Sequence, residues 1–170
     1  MTPSFSYRID SMIQAMADIV LPAIDGEKSL AIEQAQLVIA HLGLMKTQLP
    51  LATKFDELEL QACQVLANTL LEITANQSTL ADARQQLKLA AQTPAVGIEL
   101  QEEIRAVNGA LENLIRVVRS SSNRELIEAT SKAVLAHTQQ QSLRNRVWFA
   151  SNGFDADAAN LPTTDSLFKS

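Results

Sequence analysis

Apolar residues recur at helical spacing along most of the chain, and breaker residues cut the pattern into six predicted helices. Over residues 4–23, Ile9, Met12, Met16 and Ile19 mark one stripe. Asp25-Gly26 ends this segment, and Pro22 is expected to fray or kink its last turn, since proline has no N–H to donate. Over residues 28–49, Ala31, Ala35, Val38, Leu42, Met45 and Leu49 step alternately by four and three, which is the seam of a coiled coil. Leu37, Ile39 and Leu44 add apolar surface on other faces, so this helix is expected to be the most buried, with Pro50 stopping it.

Thr53 followed by Asp56 is a capping pattern that opens the third helix, which carries Phe55, Leu58, Ala62, Val65, Leu66, Leu70 and Ile73 before "TANQST" closes it. A short fourth helix over 79–91 points Leu80, Ala83 and Leu87 inward. The fifth, over 94–119 with Pro94 in its first turn, has the cleanest seam: Leu100, Ile104, Val107, Leu111, Leu114 and Val118. Such a seam favours near-antiparallel packing. After "SSSN", Ser122 with Glu125 is expected to cap a sixth helix reaching residue 152. The expected architecture is all-α: a mostly antiparallel helical bundle of four long helices with two shorter accessory ones, as a single domain over 1–152. The tail, 153–170, is acidic and Pro-interrupted and is expected to be extended or partly disordered, with Leu167 and Phe168 as anchors.

Composition supports this class. The 170 residues include five Gly and five Pro, a supply of helix breakers low enough for long helices, and only 4% aromatics, which disfavours a sheet. The net charge of −5 is concentrated in the first half of the chain, so no basic face for nucleic acid is expected. The longest nearly apolar run, "LVIAHLGLM" over 37–45, is too short to span a bilayer, and the N-terminal residues do not have the pattern of a secretory signal. With one cysteine, Cys63, no internal disulfide can form. A cytoplasmic protein is the expectation.

Three of the scarce aromatics fall in one stretch, "RNRVWFASNGFD", over 144–155. Gly153 follows the last predicted helix, and the usual glycine-ended stop would fold Phe154 back against Phe149. In that reading Trp148 and Val147 finish the core. In the other reading Trp148 stands exposed between Arg144 and Arg146 as an interface anchor. Just before this stretch the apolar seam of the sixth helix turns polar, at His137, Gln141 and Arg144. Either the helix outruns the bundle there, or these groups meet polar partners from another helix or chain.

The chemistry-bearing residues are few. Val38 and Val134 stand three residues before His41 and His137, where a di-iron helical bundle needs Glu, and two histidines with one cysteine cannot build a structural zinc site. No cofactor or metal is expected. Cys63 reads as an inert core thiol and His41 as a hydrogen-bonded core histidine. Arg116, Arg119 and Arg124 gather where the fifth helix ends and the sixth begins. They either complement the helix dipole or form an anion contact. No set of acid, base and nucleophile can be placed, so the chain leans away from enzymes. The expected function is that of a non-catalytic protein acting through protein–protein interaction, as a homo-oligomer. The alternative is a module for an apolar or acyl-like ligand with an anionic head, held in a cavity lined by Met12, Met16 and Leu42 with those arginines at its mouth.

Overall fold

The computed structural model describes residues 4–92, 99–153 and 155–169. It is all-α, with no strand among the described residues. Helix α1 (Phe5–Gln14) starts where the Ser4 hydroxyl accepts from the Tyr7 N–H, runs into a π-helical segment (Ala15–Val20) and ends in one α turn (Leu21–Ala23). The wide turn falls just ahead of Pro22, which has no N–H to return to the carbonyl of Asp18. Proline here bulges the helix and does not break it.

Helix α2 (Ser29–Gln48) leads through a 3-10 turn (Leu49–Leu51) directly into α3 (Ala52–Ile73). Pro50 therefore tightens the chain into one turn rather than opening a loop, and Thr53 lies inside α3 instead of capping it. A 3-10 turn (Ser78–Leu80) precedes α4 (Ala81–Gln92). Helix α5 (Leu100–Arg119) follows; the earlier start over 94–99 expected for it, with Pro94, lies largely outside the described residues. Helix α6 (Arg124–Phe149) is capped by Asn123, whose Oδ1 accepts from the Leu126 N–H at 3.1 Å, one residue beyond the expected Ser122.

The contacts of the chain fall into two compact units, one of Met1–Ala52 with Arg144–Ser170 and one of Thr53–Leu143. In the second unit, Cys63, Leu66, Ala67 and Leu70 of α3 share a core with Leu80, Ala83, Leu87 and Ala91 around α4, Val107, Leu111, Leu114 and Val118 of α5, and Leu126 of α6. The α5 seam is thus buried from Ile104 to Val118, as its spacing predicts. Each fully covered Leu or Val contributes about 1.5–3 kcal/mol of burial. Strand-like ladders are replaced here by a few side-chain ties that fix direction. Gln101 reaches Asp56 at 2.6 Å and Cys63 reaches Asn108 at 3.3 Å, so α3 and α5 run parallel. Gln141 of α6 reaches Glu59 near the start of α3 at 2.8 Å, and Leu126, near the other end of α6, joins the same core.

In the first unit, α1 and α2 form a hairpin tied by the Lys46–Asp10 ion pair at 2.7 Å, and α2 also packs on the turn that ends α6. Its buried apolar residues are few: Ile9, Ala35, Leu44, Val147 and Trp148. Helix α2, expected from its composition to be the most buried, keeps only Ala35 and Leu44 fully covered. A helix that is apolar nearly all round has more apolar faces than this unit has neighbours to cover them.

Candidate interaction surfaces

The C-terminal aromatics are the first candidate. Trp148 is 7% exposed and Val147 is 1% exposed, so both finish the core of the first unit. The indole is thus covered within the single chain, the arrangement that the core reading expects. One of its contacts comes from the tail: the Phe168 and Trp148 rings meet in a T-shaped arrangement, centroids 6.4 Å apart at 82°. On the backbone side, the Gln48 amide of α2 donates to the Trp148 carbonyl at 3.0 Å. The tail after Gly153 carries two 3-10 turns, Ala158–Asn160 and Thr164–Phe168.

Gly153 adopts φ +75°, the left-handed helix stop its position predicts. Phe154, its proposed clamp onto Phe149, lies outside the described residues, and Phe149 is 47% exposed. Arg146 does not flank an exposed Trp148. Its guanidinium grips Asp155 through two bonds of 2.7 and 3.0 Å, with Asp157 at 3.6 Å. This pairing, helped by the Asp157 backbone N–H, holds the Asp155 carboxyl down at about 2 and raises the Arg146 pKa further. Arg144 is half-buried.

The polar stretch of α6 is the second candidate. Gln141 does not project freely into water: it is half-buried and donates to Glu59 of α3, while His137, one turn earlier, is half-buried too. A polar partner from another helix of the same unit explains why the seam changes character there.

The arginine cluster is the third. Two shallow recesses of about 410 Å³ each lie along α5, sharing Glu112 and Arg116. One adds Ile115, Arg119 and Ser120. Arg124 does not line either. Arg116 donates to Asn113 at 2.6 Å, which in turn donates to Gln86 at 2.8 Å. Glu112 sets a carboxylate among the cations, so the recess carries both signs of charge. Met12, Met16 and Leu42, expected to line a ligand cavity beneath these arginines, belong to the other unit, and Met12 is exposed.

The most distinctive surface is one whose seam the sequence displays but whose exposure it does not. On α2, Ala31, Val38 and Met45 recur every seven residues and all three are exposed, Val38 at 45% and Met45 at 53%. Gln34 and His41 lie on the same stripe. His41, expected in the core, is exposed, and its Nδ1 bonds the Leu37 carbonyl at 2.9 Å. A carbonyl only accepts, so the proton sits on Nδ1. On α1, Phe5 at 70% and Met12 at 47% exposure are also seven apart. With Asp10 turned toward Lys46, a rotation of 100° per residue puts Phe5 and Met12 on the same side of the hairpin as Val38 and Met45. The two stripes make one apolar face. Arg8, held over the Phe5 ring at 5.9 Å, is at its rim.

Among the described residues no group of three His, Cys, Asp or Glu is placed to hold a metal ion, and no helix is long and apolar enough to cross a membrane. Cys63 is 1% exposed, its thiol bonded to Asn108. No protein-family model, no curated protein and no solved structure matches this chain.

Proposed function

We propose that this chain is a non-catalytic helical protein that acts through protein–protein contact and assembles as a homo-oligomer. The observation that carries this reading is the exposed apolar face of the α1–α2 hairpin, with Phe5, Met12, Val38 and Met45 all open to solvent. Single exposed apolar residues are ordinary on a protein surface. A contiguous set on two neighbouring helices, spaced as a packing seam, is the mark of a surface that is covered in use.

The ligand-binding alternative has less behind it. The recesses at Arg116 and Arg119 are shallow and mixed in charge, and the apolar residues expected to line a cavity beneath them are elsewhere in the chain. Light scattering at micromolar concentration tests the interaction reading. A mass of about twice the 18.5 kDa of the chain, or a higher multiple, supports it. A mass of 18.5 kDa, with calorimetric uptake of a medium-chain acyl phosphate, transfers the case to the ligand reading.

A further inference from the structure

We infer that the α1–α2 hairpin is a two-fold interface on which a second copy of this chain lays the same hairpin, the two α2 helices crossing antiparallel with Val38 at the axis. This rests on the interaction reading above and gives it a surface and an occupant.

Three observations select a second copy over other covers. The first is period. Ala31, Val38 and Met45 repeat at seven residues and are exposed, as is Leu49 of the alternating set, whereas Ala35 is already covered within the chain. That repeat matches a partner that is itself a helix with the same repeat, because only then do knobs and holes stay in phase along the length. Helix α2 supplies such a partner.

The second is charge. The α2 stripe carries Ala31, Gln34, Val38, His41, Leu42 and Met45, with no Asp, Glu, Lys or Arg. Interface centres are depleted in charge, and a face without any gives a charged partner nothing to pair with. An identical uncharged face satisfies it. Antiparallel pairing about Val38 also sets the small Ala31 of one copy against the long Met45 of the other. A parallel pairing would leave Ala31 against Ala31, a gap, and Met45 against Met45, a crowd.

The third is area. Helix α2 is about 30 Å long, α1 with its π-helical continuation to Ala23 is nearly as long, and the two lie roughly 10 Å apart, so the face covers on the order of 600 Å² of each copy. Pairing two such faces buries about 1,200 Å², the lower limit for a specific interface. Helix α2 alone would fall short, which is why Phe5 and Met12 of α1 belong to the contact.

The test uses the full chain and two kinds of variant, read by sedimentation equilibrium. Val38→Glu places two carboxylates at the axis. Because Val38 is exposed in the single copy, the variant keeps its helical circular dichroism and melting midpoint at low concentration. Its dimer dissociation constant is expected to rise at least tenfold. Val38→Cys is expected to form a disulfide-linked dimer under mild oxidation, while Ala40→Cys, on the opposite side of α2, does not. Cys63 is buried and does not compete. A wild-type dimer that Val38→Glu leaves intact, or that Val38→Cys fails to link, overturns this interface and leaves the interaction reading standing. A wild-type chain that stays monomeric removes both.

Discussion

The Phe168 ring packs against the Trp148 indole in a T-shaped pair, 6.4 Å between centroids and 82° between planes, so the tail supplies part of the core of the unit to which it returns. Trp148 is the only tryptophan, so the intrinsic tryptophan emission reports the surroundings of this one indole, the Phe168 contact among them. Phe168→Ala is expected to shift the emission maximum to the red and to cost about 1–2 kcal/mol, less than a fully covered phenylalanine because Phe168 is half-buried. Emission spectra and denaturant melts followed at the same wavelength check it.

The tail is also tied by charge, and the tie has a pH signature. Asp155 titrates at about 2 in the folded chain against an ordinary value of 3.8, chiefly because Arg146 donates to its carboxylate. A depressed folded pKa means that the stabilisation is fully present above pH 4 and is lost as the pH falls toward 2. Tryptophan emission should therefore shift over that window in the native sequence, and Asp155→Asn should already have the shifted baseline at pH 7, with a flatter acid response. An acid titration of both proteins by fluorescence decides the matter. The pair is solvent-accessible, so raised salt should weaken it as well.

Gly153 holds φ +75°, and nothing lies within 4 Å of where a Cβ would stand. The strain in a substitution there is of the backbone alone. Gly153→Val is expected to cost about 1–2 kcal/mol, with β-branching at the upper end, and Gly153→Asn to cost less because Asn tolerates the left-handed region. Thermal melts of the three proteins give the order Gly, Asn, Val.

How far the sequence carried depends on whether a periodic seam had one answer or several. The α5 seam faced the only place an amphipathic helix can put it, and Val107, Leu111, Leu114 and Val118 are all buried. Gly153 was legible for the same reason, since one residue type fits one backbone state. Helix α2 was not. Its residues are apolar on most faces, so the pattern does not say which face is left over, and exposure of Val38 and Met45 depends on the count of neighbouring helices. Trp148 was ambiguous because its ring partner, Phe168, lies 20 positions on in a tail without periodicity. The polar stretch at Gln141 was visible as a break in pattern, but its partner Glu59 is in another helix, and pairing at such a separation leaves no local mark.

If a second copy covers the apolar face of the α1–α2 hairpin, the methionines in that face report the cover directly. Met12 and Met45 are 47% and 53% exposed in a single copy. Peroxide oxidation of each, followed by peptide mass spectrometry across a range of protein concentrations, measures whether they stay open. The expected result is protection that grows with concentration, at both methionines together, and that vanishes in Val38→Glu. Oxidation of Met12 and Met45 at one fast rate, the same at every concentration, would contradict it.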